Sequence, residues 1–364
     1  MLLRKRFDDK QRNACSGVRM TVELLEDKKR WDQFVENSPQ GSLFHKWDFL
    51  KTVERHSKYQ FLPYGVYSGD ELRCIFPFFM WRERFGLTYL CSPPPLHTQI
   101  PYLGPAFDPS VQALKAHARE TVFQQVTGEL CKEIDSIAPH FVYFTTVPHF
   151  IDVRFFKWKN FTANLEFTYA IDLERSLDEI WTSFSRRCRQ NIKRVNKYSP
   201  EIQQTNDVNA LLDIWRARFS ERRVKAPLLS DSYLKDLVAA FPQDMTVYSV
   251  SIDGKLAIAN VYCAMQKERY AFWIGGVSTR NDLAVHEYIQ WEVAQRAKSE
   301  GFKKLDLGGG VENLSRFKSK FDPVLEPYCI VEKRDTLGKT VNFGWKKLSR
   351  AKKLAAGAML RTPL

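Results

Sequence analysis

The stretch Gly301-Phe302-Lys303-Lys304-Leu305-Asp306-Leu307-Gly308-Gly309-Gly310 decides how this chain is read. A glycine tolerates the positive φ of a helix C′ position, so Gly301 closes the helical period of residues 284 to 300. The run Lys303 to Leu307 then reads as a strand, and three glycines after it permit close approach of a backbone or a ligand. A helix, a tight stop and a strand make a crossover, the connection that a parallel strand pair requires.

Working outward, a strand at Arg269 to Val277 feeds that helix. Before it, strands at 246 to 252 and 255 to 265 meet at Asp253-Gly254, a hairpin turn signal. Helices at 177 to 198, 208 to 220 and 231 to 240 come earlier. The first half repeats the order: helices near 28 to 37 and 46 to 56, a hairpin of Phe61 to Tyr67 and Leu72 to Trp81, and a strand at Leu87 to Cys91. A helix at 111 to 133 and a strand at Phe141 to Thr146 follow. The expectation is an α/β fold with an α+β mixed sheet, built from two tandem units. Its boundaries are a loose leader at 1–19, units at 20–172 and 173–335, and a tail at 336–364.

At 364 residues and 44% apolar content, the chain holds enough material for two cores. Seven scattered cysteines without a C-x-x-C pair imply reduced thiols and a cytoplasmic protein. No signal-peptide pattern and no membrane-length apolar run is present. The net charge of +13 points to anionic partners, and its distribution narrows the choice. Residues 186 to 197 carry six cations and no acid.

Ser176 and Glu179 form a capping box for the helix expected at 177 to 198, and Trp181, Phe184, Cys188, Ile192 and Val195 make its buried stripe. Arg186, Arg187, Arg189, Lys193, Arg194 and Lys197 fall off that stripe. Crowded like charges repel, so a phosphate-bearing ligand or RNA is the expected neutralising partner. Residues 341 to 364 also read as a basic amphipathic helix, suited to peripheral contact with the inner membrane face.

Several chemistries lack their residues. There is no phosphate-binding P-loop, no H-E-x-x-H or paired-cysteine metal site, and no G-x-S-x-G elbow, so no metal is expected. The run Gly308-Gly309-Gly310 fails as a dinucleotide fingerprint, because Asn313 stands where the third glycine belongs.

The helix carrying Arg187, Asn191, Ile192 and Arg194 resembles the R-x-N-I-[RK] segment of the FemAB-like and BioF2-like branch of the GNAT acyltransferases. So does the run Leu305 to Gly309 with Phe317-Lys318-x-x-Phe321 after it. Trp31, Gly41-Ser42-Leu43-Phe44-His45 and Pro101-Tyr102-Leu103-Gly104-Pro105 are similar to that family's degenerate first domain. The resemblance implies two tandem GNAT-like domains that move an acyl or aminoacyl group to an amine of a cell-envelope precursor, amino sugar or similar metabolite. It implies no permanently bound cofactor, with acyl-CoA or aminoacyl-tRNA as co-substrate. The acceptor would be a small-molecule or lipid-linked amine. The loop Ser278-Thr279-Arg280-Asn281-Asp282-Leu283 departs from the family's diphosphate-cradling [QR]-x-x-G-x-[GA] pattern.

Family likeness puts the donor where strand 269 to 277 splays from strand 303 to 308, with Gly275, Gly276, Gly308 and Gly309 allowing close approach. Lys318, next to Phe317, is the preferred catalytic or oxyanion-stabilising group. Arg187, Asn191 and Arg194 are assigned to substrate or phosphate binding. Asp306 is a candidate base, against the alternative that it caps or pairs locally. His286, at the start of the crossover helix, is a candidate at the mouth of the sheet, against an ordinary surface histidine. The competing functional reading is an inactive GNAT-like module that binds RNA or an anionic membrane surface.

Overall fold

The structure is a computed structural model, and it describes residues 20–83, 86–95, 97–221, 228–310 and 312–340. The expected leader 1–19 and most of the expected basic tail, 341–364, lie outside the described residues. The first half runs β1 (Met20–Leu24), α1 (Lys28–Asn37), α2 (Trp47–His56), β2 (Gln60–Ser68), β3 (Glu71–Arg82), β4 (Thr88–Ser92) and β5 (Ala106–Phe107). It continues through α3 (Pro109–Ala113), α4 (Ala116–Ile137), β6 (Phe141–Thr145), α5 (Arg154–Lys157) and β7 (Thr162–Asp172). The second half runs α6 (Leu177–Ser183), α7 (Arg186–Asn196), β8 (Glu201–Thr205), α8 (Asn209–Glu221), α9 (Asp231–Ala240), β9 (Met245–Ile252) and β10 (Lys255–Gln266). Then come β11 (Arg269–Gly275), α10 (Val285–Ser299), β12 (Lys304–Asp306), α11 (Glu312–Lys318) and β13 (Val324–Arg334).

One mixed sheet takes the order β1-β2-β3-β4-β6-β13-β7-β12-β11-β10-β9-β8, with β5 beside β3. Read inward from either edge, the two halves match strand for strand, as a duplication would produce. They have exchanged their last strands. β7 leaves the first half to pair with β12, Ala170 opposite Asp306, while β13 returns from the second half to pair with β6. The long antiparallel register of β7 with β13 then closes the sheet between them.

Helices on one sheet face share a single core in which Trp31, Phe44 and Phe49 of the first half meet Leu211, Trp215 and Trp273 of the second. The other face carries two separate layers. One lies under α4 and α5 and includes Phe144, Phe156 and Cys329; the other lies under α6, α7 and α10 and includes Phe184, Ile192, Ile289 and Phe321. The six cysteines among the described residues are buried and free of disulfides.

The halves differ where function is concerned. In the first, β4 pairs with β6 as far as its last residue, Ser92 opposite Phe144. The segment Tyr102 to Gly104 closes that end: Gly104 N donates to Ser92 Oγ at 3.0 Å, and Leu103 N donates to Thr145 Oγ1 at 3.2 Å. A Cβ on Gly104 would lie 2.4 Å from the Thr145 carbonyl, so only glycine fits. In the second half the parallel pairing of β11 with β12 stops at Ala271 and Asp306. Four further residues of β11 run on without a β12 partner, which opens a wedge.

Two expected helices are broken. The helix at 177 to 198 divides at Phe184, which is extended at φ −58 and ψ 143, and Ser185 caps α7 by accepting from Cys188 N at 3.3 Å. A serine that satisfies the first amides of a new helix competes with continuation of the old one. The buried stripe survives the break: Phe184, Cys188, Ile192 and Val195 are all in the core. The helix at 111 to 133 likewise divides at Leu114-Lys115. Strands β7, β8 and β13 were not expected, because their partners lie far away in sequence and their burial does not alternate simply. The capping box, the positive-φ turn at Asp253-Gly254 and the αL Gly301 are all present.

Candidate active site

Lys318, at the end of α11, is only 6% exposed. Its Nζ donates to the Gly308 carbonyl at 2.7 Å and also to the Gly309 carbonyl, and it sits 5.8 Å from the Tyr169 ring centroid. An ammonium has three donors, so two are spent on the glycine loop and one remains. Burial pushes the amine down to about 8, against the pull of the Asp306 carboxylate. Tyr169 is held over α11 by a hydrogen bond with Ser315. A hydrogen at Gly308 leaves room where a Cβ would stand 3.6 Å from Nζ, and its φ of +74 turns the chain there.

Asp306 is buried at the end of β12 with every direction engaged. Arg269 Nη1 approaches Oδ2 at 2.9 Å, while Oδ1 accepts from Thr168 Oγ1 and, at 2.7 Å, from Gly308 N. That arrangement suits the local pairing alternative, since the carboxylate orients the loop that holds Lys318. Arg269 is itself buried and reaches on to Glu326, which also pairs with Lys304 at 2.5 Å and His149 at 3.2 Å. Burial raises the affinity of Glu326 for a proton, but Arg269 and Lys304 hold its carboxyl down at about 2.

His286, half-buried on the first turn of α10, packs edge-on against Phe317 with ring centroids 6.3 Å apart, and burial lowers its pKa. Asn191 donates to Glu287 at 2.6 Å, and Lys320 pairs with the other oxygen of that buried carboxylate at 2.5 Å. Asn191 therefore anchors α7 to α10. Arg187 and Arg194 stand exposed on α7 with Arg186, Lys193 and Lys197, whereas Arg189 turns back to the Thr182 carbonyl.

The glycines divide by role. A Cβ at Gly276 would fall 2.2 Å from the Ala259 carbonyl, and one at Gly275 would meet the Phe272 ring at 2.5 Å. Those two glycines let β11 pack closely. Gly309 instead faces the Tyr328 hydroxyl, 3.2 Å from where a Cβ would be. Tyr328 stacks edge-on against Tyr102 of the first half at 5.0 Å, and burial together with Glu166 and Asp306 raises its phenol to about 12.

Structure thus brings Lys318, Phe317, Asp306, Gly308, Gly309 and His286 to one end of β12. Arg187 and Arg194 lie on the neighbouring helix. Sequence reasoning passed over Thr168, Tyr169, Arg269, Glu326 and Tyr328. Arg269 and Glu326 did leave a signal: charged residues within strands that have a buried face call for a partner. After β11, Gly276 N donates to Asn260 Oδ1 at 2.9 Å and Thr279 N to the Ala257 carbonyl at 2.9 Å. Arg280 is committed to Asp282 at 2.9 Å and to Asp253.

A cavity of about 1030 Å³ opens at the opposite end of β11, lined by Gln40, Lys46, His149, Arg269 and Lys304 among others. It contains none of the sequence-derived site residues. Among the described residues no His, Cys, Asp or Glu cluster could hold a metal ion, and no helix is long and apolar enough to cross a membrane.

Residues 182–319 match the acetyltransferase (GNAT) domain family. No curated protein sequence matches the chain. Among solved structures, FemX superposes with a TM-score of 0.62 at 12% identity, over 85% of this chain and 96% of FemX. L-PGS from Bacillus licheniformis gives 0.58 at 12% identity, over 89% of this chain and 97% of that one. A tandem GNAT protein from the clavulanic acid biosynthesis pathway gives 0.50 at 11% identity, over 86% and 98%. At such identities the likeness is one of fold, and it spans both halves. Residues 182–319, which hold the open wedge and Lys318, are thus similar to the acetyltransferase (GNAT) domain family, and the fold of the two halves together is that of tandem GNAT proteins.

Proposed function

We propose that this enzyme transfers an acyl or aminoacyl group from CoA or tRNA to an amine on a phosphate-bearing acceptor, such as a cell-envelope precursor or amino sugar. The observation that carries the reading is the buried Lys318 amine, fixed by two glycine carbonyls where β11 leaves β12. A neutral acceptor amine attacks the acyl carbonyl, its C–N bond forms, and the carbonyl oxygen becomes an oxyanion. The third N–H of Lys318 stabilises that oxygen, a contact that strengthens as charge develops. Collapse expels the carrier's thiolate or ribose oxygen, which takes up the proton shed by the amine.

Arg187 and Arg194 hold phosphate, because guanidinium binds it with two parallel bonds and both side chains are exposed.

A donor screen tests the reading. Acetyl-CoA, long-chain acyl-CoA and aminoacyl-tRNA are compared by thermal shift and then by single-turnover transfer to amine acceptors. A ligand at 100 times its dissociation constant stabilises the fold by about 2.7 kcal/mol. The expected result is one stabilising donor that is consumed, with consumption lost in Lys318→Met. Donor binding without transfer to any amine, or transfer unaffected by Lys318→Met, would overturn it.

A further inference from the structure

The two carbonyls that hold Lys318 fix the direction of its reactivity as well as its place. Nζ donates to Gly308 O at 2.7 Å and to Gly309 O. An ammonium has three N–H bonds, whereas the neutral amine has two and a lone pair. Each carbonyl oxygen calls for a hydrogen, so the proton that leaves on deprotonation is the third one, and the lone pair takes over its direction. In the transfer reading above, that third direction is where the acyl oxygen lies.

There is room for an acyl group beside the amine. A Cβ built on Gly308 meets Nζ at 3.6 Å and, chain neighbours apart, no other atom of the described residues within 4 Å. The next two glycines are crowded by comparison. Gly309 faces the Phe167 carbonyl and the Tyr328 hydroxyl, each at 3.2 Å, and Gly310 faces Leu314 at 2.9 Å. The open side of the loop is therefore the side that carries the amine.

The surroundings favour the neutral form. Lys318 is shut away from water, which brings its amine down to about 8 against the pull of Asp306 on β12. The other ionisable groups nearby are engaged elsewhere: Tyr169 with Ser315, Glu287 with Asn191 and Lys320, and His286 against Phe317. The Tyr328 phenol, raised to about 12, carries no charge at neutral pH. At pH 8 such an amine carries its lone pair roughly 100-fold more often than an ordinary lysine does.

We infer that Lys318 is itself an acylation site, taking the acyl group of a thioester donor when no acceptor amine is bound and so switching the enzyme off. The step balances without another reactant. The Nζ lone pair attacks the acyl carbon, the C–N bond forms, the C–S bond breaks, and the thiolate takes up the proton that the amine sheds. The product is an amide with one N–H and no charge. It can no longer bond both glycine carbonyls or stabilise an oxyanion. This deepens the transfer reading and rests on its placing of the acyl group at Lys318.

The test needs no acceptor. The full chain is incubated with acetyl-CoA and, separately, with the acetyl thioester of N-acetylcysteamine, which has no nucleotide to be recognised. Intact mass and peptide mapping follow the reaction. One acetyl group on Lys318 is expected, resistant to hydroxylamine as an amide is, at a rate that climbs with pH and levels off above about 8. A less basic amine is a weaker nucleophile, so in the folded chain Lys318 should lead the exposed Lys193 by about tenfold. In urea the lead should vanish.

Lys318 acetylated no faster than Lys193, a lead that persists in urea, or a label that hydroxylamine removes would overturn the inference. The transfer reading fails on a different result. A wild-type chain that transfers to an amine yet never gains an acetyl group on Lys318 strikes the self-acylation alone. Labelled Lys318 in the wild type, with full transfer in Lys318→Met, strikes the transfer role and leaves the modification standing.

Discussion

Arg269, on the first parallel rung of β11 with β12, meets Asp306, on the last, at 2.9 Å, and the same carboxylate accepts from the amide of Gly308. An ion pair that spans the short parallel pairing is thus joined to the loop that fixes Lys318. Removing the cation leaves Asp306 and Glu326 buried without their shared partner. Breaking a buried pair in this way costs about 3–5 kcal/mol. Arg269→Met should therefore lower the chemical-denaturation midpoint by a large fraction of the total stability. Glu326 adds a pH dependence. Its folded pKa of about 2 lies below the ordinary carboxylate value, so its contribution is complete above about 4.5 and is lost as pH falls toward 2. Arg269→Met should shift that loss to higher pH in acid-unfolding curves.

Lys318 should shift stability with pH in the same direction, at the alkaline end of the range. Its folded pKa of about 8 lies below the ordinary 10.5, so between those values the unfolded chain binds the proton and the folded chain does not. Stability from this group therefore rises as pH climbs from about 8 to 10.5. In the proposed mechanism catalysis runs the other way, because the ammonium assigned to the oxyanion is lost over the same range. Single-turnover transfer with an already neutral acceptor amine should fall above about pH 8. Lys318→Met should remove both the stability rise and the falling limb, with transfer down about 100-fold or more. A variant that unfolds, or that keeps the falling limb, would contradict this.

Much of this site was legible in sequence because its parts are local. Gly301, Leu305 to Gly310 and Phe317-Lys318 lie within 18 residues, and one crossover places them together. The capping box at Ser176 and the stripe through Val195 followed from helical spacing. Strand exchange was not legible, since nothing in β7 or β13 names a partner some 150 residues away. Arg269 and Glu326 read as strand residues until the sheet set them side by side. The break at Phe184 was hidden for another reason: the apolar stripe continues through it, and Ser185 betrays it only by its capping chemistry.

The two glycines at the end of β11, Gly275 and the following Gly276, offer a sharper test of role. Gly276→Ala places a methyl 2.2 Å from the backbone carbonyl of Ala259, which cannot swing aside, whereas Gly275→Ala meets the Phe272 ring, which can. Overpacking of the first kind typically costs about 1–3 kcal/mol. Gly276→Ala should lower the melting temperature clearly and Gly275→Ala much less. Equal effects would mean that Gly276 is free of the contact that β10 imposes.

Asn191 links the basic helix to the crossover helix through Glu287, a carboxylate buried with Lys320 as its other partner. Asn191→Leu removes one donor from a buried charge, at a cost of about 1–3 kcal/mol. It also frees the middle of α7, on which Arg187 and Arg194 are carried. A helix that no longer holds its cations in register binds phosphate less tightly, yet Lys318 and the glycine loop remain in place. The expected signature is an increase in KM for the proposed phosphate-bearing substrate with kcat nearly unchanged, the same pattern as the proposed role of Arg187 predicts for Arg187→Ala. Lys320→Met should instead unfold the chain more readily without that selective change in KM, because its loss strands the carboxylate rather than loosening α7. If Asn191→Leu lowers kcat and leaves KM alone, the anchor acts on the chemistry and the cations of α7 do not hold the substrate.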